Sequence, residues 1–163
     1  MIKLADILKE VGEANKELAY PWEQKIDTPE MDDDEADGEA PEMDDDEVHY
    51  QFKTDKYTYA VGFSKTEDEK DPSYRSYDLL FTPVESKGLN TKEGVMIRIM
   101  ATVTEIARAF VEKYKPDEVT IHPITRSGED DPKRSRIYGI YLKKNTPKGY
   151  RLMQTGESYR IFK

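Results

Sequence analysis

The 163-residue chain contains no cysteine, only two histidines and no long hydrophobic run. Without cysteine, disulfide bonds, thiolate metal sites and cysteine nucleophiles are all excluded. A histidine metal site or a Ser/His/Asp triad would have to use His49 or His122, so the sequence offers little support for either. No stretch approaches the roughly eighteen apolar residues of a membrane span, and the N-terminus becomes charged too soon for a signal peptide. We therefore expect a cytoplasmic protein.

The length and the uneven charge of the chain predict one folded domain that carries an acidic segment. A chain of 163 residues suits a single hydrophobic core. The net charge is −9, but residues 23–47 hold fourteen acids against Lys25 alone, which leaves +4 for the remainder. Such charge density opposes ordering, so we expect a flexible loop or arm. The predicted division is an N-terminal helix and connection at 1–22, the acidic segment at 23–47 and an α+β core at 48–163.

The acidic segment contains two copies of Pro-Glu-Met-Asp-Asp-Asp-Glu, at 29–35 and 41–47. Three interpretations remain open: a solvated loop, an electrostatic tether, and a mimic of DNA phosphates. A tether would bind a basic protein partner or the mildly basic C-terminal part of this same chain. The candidate partner-binding acids are eight of the ten in the two repeats: Asp32, Asp33, Asp34, Glu35, Asp44, Asp45, Asp46 and Glu47.

Two further charge patterns predict neither a metal site nor dedicated DNA binding. Residues 33–44 partly match a calcium-binding loop, but Pro41 stands at its ninth position and no amphipathic helices flank it, so no metal is predicted. Arg134 and Arg136 belong to a basic cluster that could bind the carboxylates or phosphates of a partner. Because residues 129–131 are acidic and directly precede this cluster, local ion pairing is the simpler interpretation.

The first half of the chain is predicted to form a helix and then, after the acidic segment, antiparallel strands. Apolar residues recur every three or four positions over about residues 3–17, which predicts a helix. Alternating apolar residues then predict strands near 50–52, 57–63 and 77–81. The connections between these strands are rich in turn residues and favour an antiparallel meander.

The second half is predicted to alternate strands and helices. An apolar run at 95–100 predicts a strand, and Thr102 with Glu105 has the form of a capping box, which predicts a helix from Thr102 to Tyr114. The inner face of a second helix, from about Ser135, is predicted to consist of Ile137, Ile140 and Tyr141. Further strands are predicted near 118–122, 150–153 and 158–162. The predicted fold class is therefore α+β, with a mostly antiparallel central sheet and two packed helices.

This order of elements resembles the GCN5-related N-acetyltransferase (GNAT) fold, and residues 96–150 also resemble small uncharacterised proteins of tailed bacteriophages. The phage resemblance implies an accessory or virion-associated protein that acts by binding another macromolecule, in the host cytoplasm or in the virion. It rests on short motifs: Ala101-Thr102-Val103, Phe110, Lys115-Pro116-Asp117, Ser135-Arg136-Ile137 and Gly149-Tyr150.

The GNAT resemblance implies acetyl-CoA as a cofactor, bound by backbone N–H groups of a glycine-rich junction between a strand and the main helix. Here that junction is predicted at Ala101 and Thr102, where glycine is absent and a capping box would occupy the N–H groups. In such an enzyme Tyr138 or Tyr141 would be the general acid towards the departing thiolate, although a core role explains Tyr141 as well. We therefore predict a binding protein without a cofactor. The alternatives are an acyl-CoA-dependent N-acyltransferase and a DNA-mimicking inhibitor of a host protein.

Overall fold

The computed structural model describes residues 19–25, 46–84, 93–122 and 132–163. These residues form an α+β fold, which confirms the predicted class, and the predicted helix at 3–17 lies outside them. The elements are β1 (Trp22–Lys25), β2 (Glu47–Lys53), β3 (Thr58–Thr66), β4 (Ser76–Pro83), α1 (Glu93–Tyr114), β5 (Glu118–Ile121), α2 (Pro132–Asn145), β6 (Arg151–Thr155) and β7 (Ser158–Phe162).

The seven strands form one sheet in the order β1-β2-β3-β4-β5-β7-β6. Neighbouring strands are antiparallel except β4 and β5, which run parallel from the pair Ser76–Glu118 to the pair Leu79–Ile121. A parallel pair needs a long crossover, and α1 supplies it. The predicted meander of β2, β3 and β4 is confirmed, and the sheet is mostly antiparallel as expected.

Strand β1 was not predicted. Its four residues pair with β2, from Trp22 opposite Phe52 to Lys25 opposite His49. The indole of Trp22 packs edge-on against the Tyr50 ring, with centroids 5.6 Å apart. Glu23 and Lys25 alternate with inward-facing residues, but the strand has only four residues and lies in a highly charged stretch. The alternation was therefore too brief to recognise in the sequence.

Both helices pack on one face of the sheet, where an aromatic core forms. The Phe110 ring of α1 stacks on Phe63 of β3 at 3.8 Å, and it meets Tyr77 of β4 edge-on at 5.0 Å. Strand residues alternate between this buried face and the other side of the sheet, which we call the opposite face. Polar residues of the strands lie on the opposite face.

The predicted strand at 95–100 is wrong, because these residues belong to α1, which begins at Glu93. Ile99 and Met100 are buried, and they continue backwards the helical spacing of Val103 and Ile106. A short apolar run fits a buried helix as well as a strand, and only packing distinguishes the two. The predicted capping box is also wrong, since Thr102 lies inside the helix and not at its start.

Helix α2 begins at Pro132, three residues before the predicted start. Proline suits a first helical position because its missing N–H would have no partner there. The buried face consists of Tyr138, Tyr141 and Leu142. Tyr141 therefore lies on the inner face as predicted, whereas Ile140 is only half-buried and the side chain of Ile137 is outside the described part of the structure.

Candidate functional site

The acidic segment begins and ends at one edge of the sheet. Lys25 of β1 lies opposite His49 of β2, so residues 26–45 connect two paired strands. Those twenty residues contain eleven acids and no lysine or arginine. The fold therefore fixes the positions at which residues 26–45 begin and end.

The start of the acidic segment is fastened to the end of α1. The Gln24 amide donates to the Tyr114 hydroxyl at 2.9 Å, and Lys113 Nζ donates to Gln24 Oε1 at the same distance. Closer to the N-terminus, the Tyr20 N–H donates to Thr102 Oγ1 at 2.9 Å. Side chains of α1 thus anchor β1 at Gln24 and the residues before it at Tyr20.

The end of the acidic segment is fastened to β3. The Lys65 N–H donates to the Asp46 carbonyl oxygen at 2.8 Å, and Lys65 Nζ contacts the Asp46 carboxylate at 2.9 Å. This carboxylate raises the pKa of Lys65. At the start of the segment, Lys25 likewise contacts Glu23 at 2.6 Å and lowers the pKa of that carboxyl. These lysines therefore already have carboxylate partners within the strands.

The structure places two of the predicted partner-binding acids and both arginines. Asp46 and Glu47 lie at the start of β2 with 64% and 66% of their side chains exposed. Arg136 is exposed in α2, and Arg134 lies two residues earlier with a side chain outside the described part. The predictions for the remaining acids, and for the calcium-like loop at 33–44, concern residues outside the structure described: Asp32, Asp33, Asp34, Glu35, Asp44 and Asp45.

Ala101 and Thr102 do not lie at a junction between a strand and a helix. Both are fully buried within α1, and Thr102 Oγ1 donates to the Arg98 carbonyl oxygen at 2.7 Å. Amides inside a helix bond to its own carbonyls, so these residues do not fit a phosphate. The connection that precedes α1 instead runs from Val84 to Glu93 and lies mostly outside the described residues. The absence of glycine at Ala101 and Thr102 therefore says nothing against a cofactor.

The two tyrosines of α2 lie in the core. The Tyr138 ring packs against Phe81 of β4, with centroids 6.0 Å apart. Tyr141 is 1% exposed, and its hydroxyl is a buried polar group without a hydrogen-bond partner in the structure described. Burial raises the pKa of Tyr141 to about 12, so the group stays protonated at neutral pH. It can donate a hydrogen bond or a proton, but it cannot act as a base there.

A chain of three polar side chains crosses β4, β5 and β7 on the opposite face. His122 Nδ1 lies 3.0 Å from Ser158 Oγ, and His122 Nε2 lies 3.3 Å from Asp78 Oδ1. An ionised carboxylate only accepts, so the neutral imidazole tautomer that fits both contacts has its proton on Nε2 and accepts from the serine hydroxyl at Nδ1. The scarcity of histidine argued against such a triad at the sequence level, yet the fold assembles one.

Sequence reasoning missed this arrangement for a clear reason. Asp78 stands between the apolar residues Tyr77 and Leu79, so alternation alone assigns it to the opposite face. The sequence separations to His122 and Ser158 are 44 and 80 residues, and only the order of the strands brings the three together. The sequence could predict which face of the sheet each residue lies on, but not that the three residues are close together.

Next to Asp78, His122 and Ser158 lies a second polar cluster that is saturated with hydrogen bonds. Glu118 is 6% exposed, and the Arg160 guanidinium donates to its two oxygens at 2.7 and 2.5 Å. The Tyr74 and Thr120 hydroxyls donate to the same carboxylate at 3.0 and 3.3 Å. Arg160 is the largest cause of the lowered pKa of Glu118. With its oxygens occupied in this way, Glu118 holds strands together and is a poor candidate for chemistry.

A shallow depression of about 380 Å³ lies at the β1–β2 edge, close to the start of the acidic segment. It combines apolar and charged groups, with Trp22 half-buried in its wall. An exposed part of an indole is a common anchor in protein interfaces. The depression is lined by Pro21, Trp22, Glu23, Gln51, Phe52 and Lys53.

No protein-family model matches the sequence, and no curated protein matches it significantly. In the described ranges, neither helix has the length and apolar character needed to cross a membrane. A functional conclusion therefore depends on the residues and contacts of the chain itself.

Proposed function

We propose that this chain is a phage-type accessory or virion-associated protein that binds a basic protein partner through its acidic segment. The observation that carries the proposal is the pairing of Lys25 with His49. Because these strands are neighbours, the two ends of residues 26–45, a stretch with eleven acids, lie side by side at one edge of the sheet. Clustered charge of one sign attracts an oppositely charged protein over about a Debye length and accelerates its association.

The ion pairs within the domain favour a separate partner over binding of the segment to its own chain. Arg160 pairs with Glu118, and Lys163 pairs with Asp117 at 3.1 Å. Arg108 lies 3.8 Å from each of two carboxylates of its own helix. Several cations of the mildly basic C-terminal part are thus already used within the fold, so the acids of residues 26–45 compete poorly for them.

Short-range recognition would come from the depression beside β1. Long-range attraction brings partners together but discriminates poorly between basic surfaces. The half-buried indole of Trp22 and the neighbouring Lys53 offer an apolar and a polar contact within one concave surface. A partner that inserts a side chain there would be held in one orientation while its basic surface faces the acidic segment.

The decisive experiment compares two charge-matched variants. One neutralises Asp32, Asp33 and Asp34 to asparagine, and the control neutralises Glu67, Glu69 and Glu112 to glutamine, all three of which are exposed. A protein captured by the full chain from host extract is then titrated against each variant at several salt concentrations. Loss of three interface charges should weaken binding about tenfold at low salt and flatten the salt dependence, while the control variant binds as the unaltered chain does.

Two outcomes would contradict the proposal or redirect it. Equal affinity and equal salt dependence for both variants would show that the acidic segment takes no part in binding. Competition by duplex DNA for the same partner would instead support the DNA-mimicking inhibitor. The virion part of the proposal has its own measurement, since mass spectrometry of purified phage particles would detect peptides of this chain.

One observation favours a second candidate, an acyl-CoA-dependent N-acyltransferase. Acetyl-CoA would supply an acyl thioester, and the Tyr141 hydroxyl, which is buried without a hydrogen-bond partner in the described residues, would be the proton donor to the departing sulfur. Calorimetric titration with acetyl-CoA tests it on the intact chain. Binding by the chain, with transfer lost in Tyr141→Phe but binding retained, would support the candidate, and absence of binding at millimolar acetyl-CoA would remove it.

A further inference from the structure

We propose that Ser158 is an activated nucleophile that accepts an acyl group from an ester, with His122 as the general base. Asp78 is the positioning residue that holds the His122 ring. This inference goes beyond the proposed binding function and does not depend on it, because the three residues lie on β4, at the end of β5 and on β7, whereas the acidic segment begins on β1 and ends on β2.

The sheet itself explains why these three residues meet. Residues 118–121 of β5 pair with residues 162–159 of β7, and the next position in this register places His122 opposite Ser158. On its other side β5 runs parallel to β4, with Thr120 opposite Asp78. His122 therefore has Ser158 directly across from it on one side and Asp78 as a diagonal neighbour on the other.

The hydrogen bonds of Ser158, His122 and Asp78 suit a nucleophile and its base. With the proton of the neutral imidazole on Nε2, Asp78 Oδ1 accepts from it at 3.3 Å and the lone pair of Nδ1 is directed towards Ser158 Oγ at 3.0 Å. The serine proton thus has an acceptor already in hydrogen-bond contact, as general-base activation requires. Distances at the long end of this range are normal before substrate binds.

The surroundings leave the cluster accessible and supply apolar surface. The side chains of His122 and Asp78 are 43% and 37% exposed, so reagents reach them from solvent. Leu80, two residues after Asp78 on the same face, is 42% exposed, as is Met153 on β6. Exposed apolar side chains on both flanks fit an ester with a short apolar acyl group.

The proposed step balances as an ordinary acyl transfer. The Ser158 Oγ–H bond breaks and its proton moves to His122 Nδ1 while Oγ forms a bond to the carbonyl carbon of the ester. The bond from that carbon to the alcohol oxygen then breaks, and the alcohol leaves with the proton from His122. Water repeats the sequence on the acyl-serine, which releases the carboxylic acid and restores the serine.

The test uses an internal control in the intact chain. Ser73 is an exposed serine whose hydroxyl donates directly to Asp71 at 2.5 Å. The chain is incubated with p-nitrophenyl acetate or with a fluorophosphonate, and mass spectrometry measures the label on each serine over time. General-base assistance predicts labelling of Ser158 roughly 100-fold faster than of Ser73.

Variants separate activation from mere accessibility. His122→Gln should reduce the labelling of Ser158 to the rate of Ser73, and Asp78→Asn should reduce it in part, while both variants keep the circular dichroism spectrum of the unaltered chain. Two results would overturn the proposal: equal rates at Ser158 and Ser73 in the unaltered chain, or an unchanged rate at Ser158 in folded His122→Gln. The first comparison needs no variant, so a failure to fold would not remove the test.

Discussion

Thr102 shows how far the role of a residue depends on its location. As the first residue of a helix it would have capped free N–H groups, but inside α1 its hydroxyl accepts from the Tyr20 N–H and donates to the Arg98 carbonyl oxygen. It therefore connects the chain before β1 to the main helix. Thr104, which is also buried, donates only to the Met100 carbonyl oxygen.

This difference predicts unequal costs for two isosteric substitutions. Thr102→Val leaves the buried Tyr20 N–H without its acceptor, so the free energy of unfolding should fall by about 2 kcal/mol. Thr104→Val removes only a donor to a carbonyl that the helix already uses, and it should cost less than about 0.5 kcal/mol. Urea unfolding measures both. Equal losses in the two variants would mean that the contact with Tyr20 contributes nothing.

Glu118 makes stability depend on pH. Its folded pKa lies below the ordinary value of 4.5, chiefly because of Arg160. The contribution of this carboxylate is therefore complete above the unfolded pKa and is lost as the pH falls through the folded pKa. Glu118→Gln should lower the free energy of unfolding by about 2 kcal/mol at neutral pH.

The free energy of unfolding of the same variant should fall less in acid than that of the unaltered chain. Below pH 4.5 the deficit of Glu118→Gln relative to the unaltered chain should narrow, because only the latter still loses this carboxylate. Glu67→Gln is the control, since Glu67 is exposed and its replacement should leave the curve unchanged. Parallel curves for all three proteins between neutral and acidic pH would refute the assignment.

At the scale of elements, the contact between α2 and the sheet depends on a residue without a side chain. A Cβ at Gly139 would lie 2.9 Å from the Tyr159 hydroxyl and 3.3 Å from its ring. Tyr159 is only 3% exposed, so its ring cannot swing away. Close packing of helix and strand therefore explains a glycine in mid-helix, where the residue is otherwise unfavourable.

Gly139→Ala should destabilise the protein although alanine is the better helix former. The gain of about 1 kcal/mol in helix propensity is smaller than the 1–3 kcal/mol that overpacking costs, so a net loss of roughly 1 kcal/mol is expected. In a Tyr159→Phe background the nearest atom is gone and the loss should shrink. Chemical denaturation of the four proteins gives the coupling, and stabilisation by Gly139→Ala alone would contradict the close contact.

At the scale of the whole molecule, charge and fold are carried by different parts of the chain. Residues 26–45 contain eleven acids, while the described core is held by aromatic packing and saturated ion pairs. Since β1 and β2 are adjacent, a short turn can replace these twenty residues without moving either strand.

Replacement of residues 26–45 by a four-residue glycine-rich turn should leave the domain folded. The net charge changes from −9 to +2, and closure of a shorter loop should raise the free energy of unfolding by roughly 1 kcal/mol. Urea unfolding at low and high salt measures this. Added salt should raise the free energy of unfolding less in the variant than in the full chain, because the variant no longer has the mutual repulsion of the eleven acids. An unfolded variant would show that the segment belongs to the fold.

The sequence by itself determined the alternating strands, the existence of both helices and the concentration of acids, because each of these depends on neighbours in the chain. Periodicity also placed Tyr141 on the inner face of α2. It could not separate a strand at 95–100 from the first turns of α1, because a short apolar run satisfies both until packing selects one.

Only the tertiary structure decided which distant residues meet. The pairing of β5 with β4 and β7 assembles Asp78, His122 and Ser158, and the pairing of β1 with β2 gathers the ends of the acidic segment. Strand order follows from the burial of both helices on one face, a free energy summed over the whole core. No pattern of neighbouring residues reports this total free energy, so neither arrangement could be predicted from the sequence.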